Sequence, residues 1–325
     1  QPREADFLRH FQALSREYPA GLARAALETA TLRRQAAEKF PFAERLYFTR
    51  EALEQASAFE VSTYRAERFR PFLRLADLGC SAGGDTLALA AIAYTTGIDR
   101  DALRLAMAGA NLRAVGLGER AGFVQADLDR PLPLRLSEDL ALFFDPARRV
   151  EGRRAFSVRA YSPPLSVVSA WLPRTPAVGV KISPGVDLAE LSPYDAEVEF
   201  ISLKGQLKET ALWFGPLKSA TRRATVLPGA HTLAAGKPQQ QTGLPALPLQ
   251  KPKTYLYEPD PAVLRAGLVA TLGERLSAGQ LDPDIAYLTA EQLQPTPFAR
   301  AWVVEDWFPF GLKRLRAYLR ERNVG

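Results

Sequence analysis

The chain is poor in sulfur and imidazole. Of 325 residues one is cysteine, Cys80, one is methionine, and two are histidines, His10 and His231. A lone cysteine excludes an internal disulfide framework, and two distant histidines beside one thiol lack the ligand spacing of a zinc site, so no metal is expected. Also missing is any uninterrupted apolar run near the roughly 18 residues that a membrane-spanning helix needs. The opening QPREADFLRH has no secretory apolar core, and a cytoplasmic protein with no membrane partner is the expectation. What is present, 47% hydrophobic and 24% charged residues, suits an ordinary globular chain long enough for two domains.

The most informative stretch is LRLADLGCSAGGDTLALA, residues Leu73 to Ala90. A short apolar run ends in an acid, a glycine-rich turn follows, and an alanine- and leucine-rich helix pattern resumes. Glycines let the backbone approach a ligand, and the helix start offers unpaired N–H groups. Two nucleotide-like readings compete. The dinucleotide fingerprint wants a second glycine where Ser81 stands, whereas Asp77, Gly79 and Gly83 fit the D-x-G-x-x-x-G pattern associated with S-adenosylmethionine, which is therefore favoured. Cys80 inside this loop reads as a small buried residue rather than a catalytic thiol.

Before this stretch, residues 1–70 carry helical spacing, with a second helical stretch expected over Glu51 to Arg70. Phe40, Phe42, Tyr47 and Phe48 read as core aromatics packing this front piece onto the next domain, or as a lid over a ligand. Thr49 is the N-cap expected for the helix that follows, and a lid role would make it substrate-binding.

After it, strands and helices alternate, predicting an α/β fold with a mostly parallel sheet covered on both faces. Tyr94 to Ile98 is a strand closing on Asp99, which lies where a carboxylate can accept both hydroxyls of a ribose. An amphipathic helix is expected with Leu103, Ala106, Met107, Ala110 and Ala114 on its buried face. The next strand delivers Asp127, a candidate acceptor for an adenine amino group, with Leu128 donating a backbone N–H beside it; a strand-end acid without ligand is the equal alternative. DLALFFDPARR is an apolar strand stopping on Asp145-Pro146, which puts polar chemistry at the carboxyl edge of the sheet. Ala177 to Ile182 is a further strand, on which Lys181 either faces that edge and its substrate or, as the better reading, is a solvent-facing or carboxylate-paired lysine. EVEFISLKGQLKETALWFG then reads as an antiparallel pair turning at Lys204-Gly205-Gln206.

Residues 228–252 contain five prolines and the run Gln239-Gln240-Gln241, the composition of an extended connector. Beyond it, a helix from Asp260-Pro261 to about Leu276, two strands and a basic helix from Leu312 to Arg322 make a small α/β domain. The last helix carries Lys313, Arg314, Arg316, Arg320 and Arg322 against Glu321. A net charge of +6 agrees with a polyanionic partner such as RNA, and Arg316 and Arg320 are where phosphate contacts are expected.

Together, ADLGCSAGGDTLALA, the Asp99 and Asp127 strand ends, FFDPARR, YSPPLS, KISPGVD, YEPDPAVLRAGLV, DIAYLT and PFGLKRLRAYLRER resemble bacterial class I S-adenosylmethionine-dependent methyltransferases with a C-terminal THUMP-like domain. The core is also similar to trimethylguanosine synthase, an RNA cap methyltransferase. The resemblance implies a Rossmann-like, mostly parallel seven-stranded sheet with a terminal antiparallel hairpin, spanning residues 71–227. A helical region 1–70 precedes it, and the connector 228–252 leads to a THUMP-like domain 253–325 that lacks its last strand. It further implies that Asp77, Gly79, Ser81 and Gly83 surround the methionine part of the cofactor, that Asp99 holds the ribose and Asp127 the adenine, and that Asp145 and Pro146 border the transfer site. Ala147 and Arg148 depart from the Asn/Asp-Pro-Pro-aromatic pattern of amino-methyltransferases, which opens the identity of the target atom.

The implied reaction is in-line methyl transfer to a nucleophilic nitrogen or oxygen of RNA, with Asp145 orienting the acceptor or taking its proton and Arg148 and Arg149 holding a phosphate. The alternatives are methylation of a protein or small molecule, and a noncatalytic RNA-binding factor that retains the fold. A dehydrogenase fits least, because of Ser81 and the terminal hairpin.

Overall fold

The computed structural model describes residues 6–147, 149–150, 153–154, 157–235 and 247–324. Its first layer is helical: α1 (Phe7–Leu14), α2 (Ala20–Ala36), α3 (Arg50–Gln55) and α4 (Phe59–Ala66). The helix expected over Glu51 to Arg70 is therefore two, because Ala56 to Ala58 turn extended and the amide of Phe59 donates to Lys39 instead. Phe40 and Phe48 are buried with ring centroids 5.2 Å apart, in one cluster with Leu87 and Leu112.

The central sheet takes β1 (Arg74–Leu78), β2 (Tyr94–Asp99), β3 (Ala121–Gln125), β4 (Leu140–Phe144), β7 (Val178–Ile182), β8 (Glu197–Leu203), β9 (Gln206–Trp213), β10 (Arg222–Leu227) and β11 (His231–Ala234). A two-residue ribbon, β5 (Arg149–Val150) with β6 (Arg153–Arg154), follows β4. Strand order is β11-β10-β8-β9-β7-β4-β1-β2-β3. Strands β3, β2, β1, β4 and β7 are parallel neighbours, and β9 enters antiparallel between β7 and β8. Every residue of β4, β7 and β8 is buried, as expected of strands covered on both faces; β4 accordingly reads as a continuous apolar run, whereas β7 carries Lys181 and β8 carries Glu197 and Glu199. Lys204 and Gly205 both take positive φ, +54° and +74°, the conformation a two-residue hairpin turn demands.

Three expectations change here. The sheet has nine strands, not seven: the outer edge of β8 is fully buried and cannot be left unpaired, so β10 joins it in parallel and β11 closes the edge. The connector expected over 228–252 accordingly begins with a strand, and its glutamine run lies outside the described residues. Third, α6 (Ala102–Ala114) buries Leu105, Ala108, Gly109 and Leu112, leaving Leu103 58% exposed. Small residues on that stripe let it approach the glycine loop, where a Cβ on Gly83 would stand 3.0 Å from that of Ala108. The other helices on the sheet are α5 (Gly84–Ile92) and α7 (Val168–Trp171).

The remaining elements are β12 (Tyr255–Pro259), α8 (Pro261–Ala266), α9 (Val269–Arg275), β13 (Gly279–Asp282), β14 (Ile285–Ala290), β15 (Ala299–Val303) and α10 (Leu312–Glu321). They form an antiparallel sheet of order β13-β14-β12-β15 with two strands, β12 and β13, beyond those expected. The single helix expected from Asp260 is split at Gly267, whose φ of +70° caps α8. α8 lies on β8 and β10, so Val263 and Tyr257 share one core with Phe200 and Ala224. Full burial of each such large side chain contributes about 2 kcal/mol. Arg265 on α8 donates to the carbonyls of Pro184 and Val186, 3.1 and 2.8 Å, fixing the loop after β7.

Candidate functional site

The carboxyl ends of β1, β2, β3, β4 and β7 open into a cavity of about 700 Å³, a size suited to a nucleoside-like ligand. Its floor is the glycine loop. Gly79 has φ +85°, and a Cβ there would stand 2.5 Å from the Asp145 carbonyl oxygen, so only glycine lets β1 and β4 end side by side. Gly83, at φ +81°, starts α5. Ser81 also takes positive φ, +49°, strained for a side-chain-bearing residue, and its buried hydroxyl has no hydrogen-bond partner among the described residues.

Asp99 is 8% exposed and already accepts two backbone N–H bonds, from Ser81 and Asp101, each 2.9 Å. A carboxylate offers about four lone-pair sites, so it holds the loop and still presents acceptors to the cavity it lines. Asp127 is exposed at the rim, where it accepts from the amide of Asp129 at 3.0 Å, and Leu128 lines the wall beside it.

Asp145 and Lys181 come from adjacent strands whose register pairs Phe144 with Val180. The Lys181 ammonium donates to Asp145 Oδ2 at 2.7 Å and to the Gln55 carbonyl at 3.4 Å, and lies 3.8 Å from Asp85 Oδ2. Lys181 thus faces the cavity and is carboxylate-paired as well. Pro146 and Ala147 also line the site, and Ala147 pairs with Ser162 across an antiparallel bridge.

Several expected residues lie elsewhere. Asp77 sits beneath the loop, 1% exposed, accepting from the Thr86 hydroxyl at 2.6 Å through Oδ2 while Oδ1 has no partner among the described residues. Burial and the neighbouring charge of Asp85 push its carboxyl up to about 8. Thr49 acts as the N-cap of α3, accepting from the Ala52 amide at 3.1 Å, and does not line the cavity. Arg316 and Arg320 are exposed on α10, away from it. Arg148 and the side chain of Arg149 lie outside the described residues.

Sequence reasoning missed a group of buried charges behind the floor. Arg65, on α4 and 2% exposed, donates to Asp85 at 2.5 Å and to Ser57 at 3.1 Å, and pairs with Glu209 at 2.6 Å. Burial opposes ionisation of Asp85, yet Arg65, Lys181 and the Ser62 hydroxyl hold its carboxyl down at about 2. Lys39 donates to the carbonyls of Leu53, Glu54 and Ala56 at 2.7, 3.0 and 2.8 Å. Burial, then the charges of Lys181 and Lys208, lower its ammonium. Burial and the charges of Asp77 and Asp99 push the Cys80 thiol up, as an inert buried residue requires. The visible signals were Asp85 inside the glycine stretch and Glu209, a lone acid within a hairpin strand.

Among the described residues, eight carboxylates and five cationic side chains line the cavity, an excess of negative charge that fits a ligand carrying both a sulfonium and an ammonium. The unpaired Ser81 hydroxyl and the close backbone at Gly79 agree with a ligand seated on the loop. Among the described residues there is no cluster of ligands for a metal ion and no helix long and apolar enough to cross a membrane.

No family model matches the chain. It is 35% identical over 311 residues to a curated protein described as an uncharacterized S-adenosylmethionine-dependent methyltransferase in two strains of Mycobacterium tuberculosis, a match covering 92% of this chain and 82% of that one. A crystal structure assigned as a methyltransferase from Porphyromonas gingivalis W83 superposes with a TM-score of 0.76 at 19% identity, over 98% of this chain and 87% of that one, and so shares the fold. The cofactor is S-adenosylmethionine, and the chain belongs to the S-adenosylmethionine-dependent methyltransferases.

Proposed function

We propose that this enzyme methylates RNA, with Asp145 at the acceptor. The observation that carries the reading is the surface of the second sheet and α10. Trp302 on β15, and Trp307 and Phe310 in the segment leading to α10, are 53, 49 and 83% exposed, and α10 carries Lys313, Arg314, Arg316 and Arg320, all exposed. Exposed aromatic faces interleaved with cations suit stacked bases and phosphates. In this reading the second sheet takes the RNA-binding part that the THUMP-like resemblance implies. Arg300, on β15, reaches over the turn of the β8–β9 hairpin, the same hairpin that contributes Leu203, Lys208 and Glu209 to the cavity.

The cofactor supplies an electrophilic methyl group when bound. Gly79, Ser81, Asp99 and Leu128 would hold it, with Asp127 at the adenine end. Asp145 would orient the acceptor and take its proton, and the roof formed by residues 52–58 would exclude water. Incubation with methyl-labelled cofactor and separated RNA, protein and metabolite fractions tests the reading. Label is expected in RNA, and label confined to another fraction would overturn it. Arg316→Glu with Arg320→Glu should weaken RNA binding and flatten its salt dependence; an unchanged salt slope removes α10 from the interface.

A further inference from the structure

We propose that the methyl acceptor is a hydroxyl rather than an amine, and that Lys181 sets this choice. For the identity of that hydroxyl, a ribose 2′-hydroxyl, the inference rests on the RNA reading above.

Lys181 occupies a fully buried central strand, where a neutral side chain would be cheaper. Its ammonium bridges floor and roof, with Asp145 Oδ2 below at 2.7 Å and the Gln55 carbonyl above at 3.4 Å. Lys39 receives the flanking carbonyls of Leu53, Glu54 and Ala56. Four consecutive carbonyls of the roof are therefore turned onto two ammonium groups that both line the cavity.

This polarity distinguishes acceptors. The described lining as a whole holds more carboxylates than cations, so the discrimination is local. An amine becomes cationic as it takes the methyl, and an ammonium in contact with it raises that transition state. A hydroxyl moves the other way: its oxygen gains negative character as the proton leaves, and an ammonium stabilises it. In the proposed step a lone pair of the acceptor oxygen forms the bond to the methyl carbon. The carbon–sulfur bond breaks with its electron pair kept by sulfur, and the hydroxyl proton passes to the Asp145 carboxylate. A second observation points the same way. Among the described residues, Phe48 is the one aromatic lining the cavity; it is 5% exposed and packed on Phe40, so it offers no face for a planar base. A ribose needs none.

The test is the linkage of the label. RNA methylated by the enzyme is hydrolysed in alkali and, in parallel, digested to nucleosides. Label in alkali-resistant dinucleotides and ribose-methylated nucleosides is expected. Label on a base overturns the hydroxyl inference and leaves the RNA reading intact. Label only in protein or metabolites overturns the RNA reading, and oxygen or nitrogen linkage in that product still decides the inference. A second measurement needs no turnover: binding, in saturating S-adenosylhomocysteine, of an RNA oligonucleotide and its 2′-deoxy counterpart. The RNA should bind about 10-fold more tightly, the worth of one good hydrogen bond, and the gap should close in Lys181→Gln. Equal binding in the parent protein, or an unchanged gap in the variant, overturns the proposal. If Lys181→Gln does not fold, Asp145→Asn serves in its place with the same expected result.

Discussion

Arg65 in the last turn of helix α4 and Arg68 in the short turn that follows it, residues Glu67–Phe69, differ in their surroundings. Arg68 holds Glu197 with two bonds and Glu199 with a third, and every oxygen of both fully buried carboxylates is satisfied by protein. Arg223, Ser219 and the Ala220 amide complete Glu197, while Trp213, Tyr64 and Thr225 complete Glu199. None of these side chains lines the cavity. Arg65 is more deeply buried, 2% exposed against 15% for Arg68, but its network of Asp85, Glu209, Lys181 and Asp145 opens onto the cavity. In or beneath the glycine loop of that cavity, two buried polar atoms, Asp77 Oδ1 and Ser81 Oγ, have no partner among the described residues. A closed network joins α4 to the distal half of the sheet. An open one leaves valences for something that comes and goes.

The largest expected effect would sharpen this contrast at its open end. Asp145→Asn should lower methyl transfer by about 1,000-fold, as loss of a positioned acid or base does, with little change in thermal stability because the amide oxygen can still accept from the buried Lys181 ammonium. Arg68→Met should do the opposite. It leaves buried Glu199 with neutral donors and Glu197 with Arg223 as its remaining cation, and should cost about 3 kcal/mol in chemical denaturation, while kcat per folded molecule stays within about 2-fold. If Arg68→Met instead abolished activity in fully folded protein, the division of the two networks would break.

Gly79→Ala falls next. A methyl at φ +85°, 2.5 Å from the Asp145 carbonyl, forces β1 and β4 apart, and a stability loss of about 2 kcal/mol should accompany a weaker calorimetric titration with S-adenosylmethionine.

What could be read from the chain follows locality. Gly79 and Gly83 announce themselves because one turn needs positive φ, and Asp99, Asp127 and Asp145 do so because each ends an apolar strand at the same edge. Lys181 was legible as a residue at that edge for the same reason, but whether it faced solvent, a ligand or a carboxylate was open until the fold set it on Asp145. Arg65, Asp85 and Glu209 were not: they meet from α4, α5 and β9, and only the folded sheet brings them together. The buried face of α6 was misplaced because alanine and glycine carry little hydropathy contrast, so the stripe is chosen by fit against the glycine loop. Strands β10 and β11 were missed because the edge they cover is a tertiary fact.

The smallest effect concerns Asp77, and its sign separates the networks by pH. Asp85 and Glu197, held down at about 2, contribute stability that is present above their unfolded values and lost as acid protonates them. Acid therefore weakens both networks and does not tell them apart. Asp77, raised to about 8, behaves oppositely: the folded chain keeps a proton that the unfolded chain releases near 3.8, so its contribution is full below that value and declines as pH rises toward 8. Between pH 6 and 8 the decline should be about 1 kcal/mol per pH unit, and Asp77→Asn, always neutral, should remove it. Urea denaturation of both proteins across that range is the check. Parallel stability curves would mean that Asp77 is ionised in the fold and that the floor of the open site is held by charge in the same way as the closed network under Arg68.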